Sequence, residues 1–164
     1  EEIHPHNIKR MIRALEFHHQ TGGKISEHNE AEREKSSPYD FAYFVLTDER
    51  SRLYERIDRR VDKMMEEGLL EEVRYLKERG VKRGSTAMHG LGYKELYAYL
   101  DGECTLEEAV CIIKRDTRHF AKRQLTWFKR ERDVIWADKS VIGQSDDAVV
   151  DFMRKELKNR GIIK

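Results

Sequence analysis

The chain has 164 residues, 38% of them charged and 38% hydrophobic, and a formal net charge of +1 at pH 7. That length suits one domain of modest core or parts of two, and the charge balance gives no global sign of a nucleic-acid partner. No stretch approaches the ~20 apolar residues of a membrane span. No signal-peptide pattern is present, and Cys104 and Cys111 lack the spacing of a disulfide framework or zinc site, so a cytoplasmic location is expected.

In chain order, Asn7 precedes a predicted helix over residues 8–20 with Ile8, Met11, Ile12 and Leu15 inward, ended by Gly22 and Gly23. Residues 26–38 are polar and of mixed charge, with Ser36, Ser37 and Pro38 as punctuation, and read as a loop or domain boundary. Phe41 to Leu46 is a short apolar run without clean alternation, the pattern of a strand covered on both faces. Thr47 or Asp48 then caps a helix to about Glu67, and Gly68 separates it from a second over residues 69–79. A glycine-containing loop, residues 84–92, feeds a helix over 93–100. Thr105 and Glu108 form a capping box that opens a long helix. Val134 to Trp136 reads as another strand, and Ser145 starts a final amphipathic helix to about Asn159.

The long helix makes opposite demands on its two sides. At roughly 100° per residue, Ile113, Thr117, Phe120, Ala121, Gln124, Leu125, Trp127 and Phe128 share one broad apolar side. Arg115, Arg118, Lys122, Thr126 and Lys129 stack on the other, widened by Arg123 and Arg130. Between Lys114 and Arg132 there are eight Lys or Arg and two acids, and from Thr117 to Arg130 there is no acid. Solvated faces normally mix signs, so this local cluster is the footprint of a polyanion. Phe120, Leu125 and Phe128 are expected to hold the helix to its domain. Gln124 within the apolar arc requires a partner if buried, and Trp127 serves either as a stacking surface or as a core anchor.

The motifs carry a resemblance. Lys122-Arg123-Gln124-Leu125-Thr126-Trp127-Phe128-Lys129 resembles the KRQxTWxR signature of the tRNA dimethylallyltransferases. The likeness recurs in order at His4-Pro5-His6-Asn7 with Arg10 and Arg13-Ala14-Leu15-Glu16. It recurs again at Leu53 with Arg56-Ile57, Arg60, Met64 or Met65, Gly68-Leu69 and Glu72-Val73, and at Gly90-Leu91-Gly92-Tyr93-Lys94-Glu95. It spans about residues 1 to 138. His6, His89 and the Gly22-Gly23-Lys24 order depart from the usual pattern.

The resemblance implies an α/β fold, the mostly helical C-terminal part of a P-loop NTPase-like core. Residues 1–36 would end a helical tRNA-binding insertion, and residues 37–164 would belong to the catalytic core. It implies transfer of a dimethylallyl group from dimethylallyl diphosphate to the N6 amine of the adenine next to the anticodon, with Mg2+ as cofactor. Arg60 and Arg56 are the implied diphosphate contacts. The implied contacts to the tRNA anticodon stem-loop are Lys9, Arg10, Met11, Ile12 and Arg13, the loop His89, Gly90, Leu91, Gly92, Tyr93 and Lys94, and Lys122 through Lys129. From the residues alone Arg60, on the margin of an apolar stripe, wants a carboxylate or phosphate in fork geometry, and a local acid such as Glu55 is the alternative. Tyr93 is otherwise plain core. The chain opens on Glu1 rather than Met and holds no GxxxxGK[ST] cradle. The phosphate loop and catalytic base are therefore expected upstream, with no catalytic residue and no metal ligand in these residues. By themselves these residues are expected to be inactive, and with the missing N-terminal half to form a monomeric enzyme. Two other readings are an isopentenyltransferase acting on free adenine nucleotides, which has no need of the basic surfaces, and a helical RNA-binding module without chemistry.

Overall fold

The computed structural model describes residues 6–35 and 37–164, so His4 and Pro5 of the first motif lie outside the described residues. The chain divides into two compact units, Glu1–Asp40 and Phe41–Lys164; the sequence places that break slightly earlier, at residues 36–37.

The first unit is a pair of helices, α1 (Ile8–Thr21) and α2 (Ile25–Glu34). Asn7 caps α1, its side-chain oxygen accepting from Arg10 N–H at 3.3 Å, and Gly22 closes the helix at φ 72°, a left-handed turn that only glycine takes without cost. The second helix replaces the expected loop. Its polar sequence has only Ile25 and Ala31 as apolar positions, too few for a helical period to show. It is held instead by the Lys24–Glu27 and Lys35–Glu32 pairs and by His28, whose ring lies 5.1 Å from that of Phe17 in α1. The inward side of α1 also differs from expectation. Met11, Ala14 and Phe17 are half-buried, whereas Ile8, Ile12 and Leu15 are 61%, 50% and 69% exposed.

The second unit contains β1 (Tyr43–Thr47), α3 (Arg50–Glu66), α4 (Leu69–Glu78), a 3-10 turn (Thr86–His89), α5 (Tyr93–Leu100), α6 (Leu106–Phe128), β2 (Val134–Asp138), α7 (Lys139–Ile142) and α8 (Asp146–Asn159). The strands pair in parallel, Tyr43 opposite Val134 through Thr47 opposite Asp138, with the α3–α6 segment as their crossover, which parallel pairing requires. Successive side chains alternate between faces. Phe44 meets Phe152 of α8 edge-on at 6.4 Å, and Tyr43 meets Phe128 of α6 at 6.2 Å. Val45, Ile135 and Ala137 are buried between these layers. Glu49, rather than Thr47 or Asp48, occupies the position before α3.

The core lies among the four central helices. Val61 of α3, Leu69 and Val73 of α4, Leu96 of α5, and Ala109 and Ile113 of α6 form one buried cluster. Thr105 and Glu108 make the reciprocal capping box at the start of α6, at 3.2 and 2.8 Å, which fixes where that helix leaves the core.

Candidate nucleic-acid interface

In the first unit the α1 cations Lys9, Arg10 and Arg13 are exposed, and none has an acidic partner among the described residues. The first turn of α1 carries no acid, so its unpaired N–H groups and the positive end of the helix dipole add to these charges. Ile12 is half exposed beside them, and Met11 is turned partly inward.

In the second unit α3 sorts its arginines by face. Arg59 takes Glu55, at 3.5 Å. Both carboxylate oxygens of Asp58 accept from Arg118 Nη1, at 2.8 and 2.7 Å, and Asp62 holds Lys114 at 2.6 Å. Arg56 and Arg60, one turn apart, are left exposed without an acidic partner among the described residues. The alternative partner Glu55 thus belongs to Arg59. Arg60 is more open to water than a position on the apolar margin suggests, because the stripe Leu53, Ile57, Val61 and Met64 turns it away from the core.

The glycine loop is built tightly. Gly92 is buried with φ 102°, and a Cβ there would stand 3.2 Å from Leu69 Cδ2 and 3.9 Å from Ile113 Cδ1. Only glycine suits both the backbone and the space. The Gly92 N–H donates to Glu95 Oε2 at 3.0 Å, so the carboxylate caps its own helix α5 from a buried position. Its other oxygen has the Lys94 ammonium at 3.2 Å, in a geometry outside hydrogen bonding. Tyr93 donates its hydroxyl to Glu72 at 2.8 Å, and this bond raises the phenol pKa above its ordinary value; the ring is half-buried, neither free nor plain core. His89 and Gly90 are exposed and Leu91 is half-buried at the mouth of the loop.

The basic stripe of α6 is shorter than its sequence suggests. Lys114 and Arg118 are used up by α3, and Arg115 bonds Asp116 at 2.9 Å, which holds that carboxyl below its usual range. Beyond them Lys122, Arg123, Lys129 and Arg130 are exposed, with no acidic partner among the described residues. Thr126 is also exposed but returns its hydroxyl to the Lys122 carbonyl at 3.0 Å. Helix packing here rests on Ala121, Leu125 and Phe128, all half-buried. Three residues of the expected apolar arc do not join it. Phe120 is 43% and Trp127 53% exposed, and Gln124 between them is exposed too, so no buried amide needs a partner. The core of α3–α5 simply ends before these positions are reached. Phe120 as a surface residue is the feature that the motifs do not mark, and its spacing of seven from buried Ile113 reports a shared side rather than exposure.

Comparison with known proteins sharpens the picture. The sequence pattern of the IPP transferase family matches residues 1–131. A tRNA dimethylallyltransferase of Lachnoclostridium phytofermentans is 59% identical over the whole chain, which covers 52% of that protein. One of Acetivibrio thermocellus is 44% identical over 99% of the chain and 51% of its own length. The chain thus spans about half the length of these curated relatives. Among solved structures, the tRNA isopentenylpyrophosphate transferase of Bacillus halodurans superposes with a TM-score of 0.69 at 42% identity, over 97% of this chain and 48% of that one. A eukaryotic dimethylallyltransferase described as acting on tRNA superposes at 0.78 with 28% identity, over 98% of this chain and 42% of that one.

Proposed function

The chain belongs to the IPP transferase family, and on that premise we propose that it is the tRNA-gripping part of a tRNA dimethylallyltransferase. The reaction breaks the C–O bond between the dimethylallyl group and its diphosphate. It forms a C–N bond to N6 of an adenine beside the anticodon, with the diphosphate leaving and the amine proton passing to a base. These residues contribute binding and orientation to that chemistry. Lys9, Arg10 and Arg13 on α1, the loop from His89 to Lys94, and the distal half of α6 contact the anticodon arm. Arg56 and Arg60 hold the departing diphosphate, where a planar guanidinium meets oxygens in pairs. The phosphate cradle and the base are assigned to the half of the relatives that this chain does not cover, and a cytoplasmic setting follows from a tRNA substrate.

Magnesium belongs to the same proposal. Among the described residues no three His, Cys, Asp or Glu side chains converge as a cation site, so the donors here do not fit a resident metal. Nor is any helix among the described residues long and apolar enough to cross a membrane.

The observation that carries the reading is the division of labour along α6. Its proximal cations Lys114 and Arg118 are paired by α3, whereas Lys122, Arg123 and Lys129 are exposed with no acidic partner among the described residues. The test is titration of the chain with a labelled anticodon stem-loop at several salt concentrations. Several phosphate contacts make affinity fall by roughly tenfold or more between 50 and 200 mM salt. A salt-independent affinity, or none, overturns the proposal.

A further inference from the structure

Distal α6 has a side that neither its phosphate-facing cations nor the core explains. Ile113, Phe120 and Trp127 recur every seven residues, so at about 100° per residue they fall on one stripe. Where that stripe begins it is core, with Ala109 and Ile113 only 0% and 1% exposed. Farther along, exposure climbs to 43% at Phe120 and 53% at Trp127. The helix does not need either ring for attachment, because Leu125 and Phe128 pack on another side and Phe128 reaches Tyr43 of β1. Trp127 is steadied by an edge-to-face contact with Phe128, ring centroids 5.1 Å apart, while about half of it stays in water.

The surroundings of these rings select the occupant. The Arg123 guanidinium stands 5.7 Å from the Phe120 centroid, and no acid lies between Thr117 and Arg130. Gln124, exposed, lies between the two ring positions along the helix. The upper end of the stripe adjoins the glycine loop, since a Cβ added at Gly92 would stand 3.9 Å from Ile113 Cδ1. An exposed cationic border without acids of its own calls for an anionic partner. A single-stranded nucleic acid supplies both parts at once, π-faces for the rings and phosphates for the cations.

We propose that Phe120 and Trp127 form a stacking shelf for unpaired bases of the bound RNA, with Arg123 on the adjoining phosphate and the Gln124 amide on a base edge. The proposal rests on distal α6 as an RNA surface and adds Phe120 to it as a base-positioning residue. It also explains why the rings stay exposed. A base unstacked from its loop loses its neighbours, and the shelf replaces them.

The experiment uses the 164-residue chain and an anticodon stem-loop carrying 2-aminopurine at the adenine beside the anticodon, with a fully paired RNA duplex as control. Binding of the native chain quenches the probe. Phe120→Ala weakens stem-loop affinity by roughly tenfold, diminishes the quench and leaves duplex affinity unchanged. Phe120→Tyr keeps both affinity and quench. Phe120→Leu preserves bulk without a π-face and serves as the decisive variant should the alanine substitution disturb folding; it too loses the quench. Stem-loop binding by the native chain with Phe120→Leu equal to it in affinity and quench overturns the shelf while leaving the proposed function standing. Failure of the native chain to bind the stem-loop overturns both. Self-association that Phe120→Leu abolishes, with RNA affinity unaltered, identifies the ring as a contact between copies and overturns the shelf as well.

Discussion

Arg60 and Arg118 show how two arginines in similar sequence surroundings acquire different roles. Arg118 is 30% exposed and held by both oxygens of Asp58, so its charge is spent inside the protein. Arg60 is exposed, and the local acid Glu55 pairs with Arg59. A cation on α3 with no acidic partner among the described residues is available for an anion. Under the proposed function, Arg60→Ala in a protein of the relatives' full length is expected to impair binding of dimethylallyl diphosphate or turnover by one to two decades, the worth of one charge-assisted bond at roughly 1.5–3 kcal/mol. tRNA affinity should stay close to its original value. Steady-state kinetics with each substrate varied in turn decide the matter, and unchanged constants for both would remove Arg60 from the diphosphate site.

Among elements, α6 is the one whose function divides along its length, and substitutions in its parts should fail in different ways. Removing Lys122 and Arg123 together leaves the melting temperature nearly fixed and flattens the dependence of log affinity on log salt by about one to two units. Arg118→Ala does the reverse: it leaves Asp58 without its partner at a half-buried position and lowers stability, by roughly 1–2 kcal/mol, between the values for exposed and buried pairs. Phe128→Ala costs about 1.5–3 kcal/mol, roughly half the figure for a fully buried ring. Thermal melts and stem-loop titrations on the same three variants test the set; an early melt with normal RNA binding for the Lys122, Arg123 double variant would return those cations to internal structure. The same helix shows what a one-dimensional reading captures. Its start was legible because Thr105 and Glu108 form a local device three residues apart, and its cationic cluster was legible because charge is counted along the chain. The exposure of Phe120, Gln124 and Trp127 was not, since periodicity reports which residues share a side and not how far the neighbouring core extends along it. Likewise Asp58 and Asp62 on α3 neutralise Arg118 and Lys114 across tertiary distance, which no i,i+4 count reveals. The helix α2 escaped notice for a related reason, as it is held by ion pairs within its own segment and by one ring contact to α1 rather than by an apolar stripe.

For the molecule as a whole, stability is concentrated in one of its two units. Leu96, Val73 and Ala109 in the second unit are 0% exposed, and the buried cluster they join draws on four helices. The first unit has no buried residue in either helix. Helices of 14 and 10 residues are marginal in water without packing, and a single ring contact with surface ion pairs adds little. Local opening free energies should therefore differ sharply between the units. Hydrogen exchange followed by mass spectrometry is expected to show α1 and α2 amides exchanging close to the unprotected rate while those of α5 and proximal α6 exchange only on global unfolding. A chain beginning at Phe41 should then melt within a degree or two of the parent, whereas Leu96→Ala in the parent should lose about 2–5 kcal/mol. Because the cations of α1 sit on the weaker unit, added stem-loop RNA should slow exchange in α1 more than in α5, by ligand linkage to the ordered state. Amides of α1 as protected as those of α5 in the free chain, or a large drop in melting temperature on removing residues 1–40, would contradict the view that the second unit carries the fold.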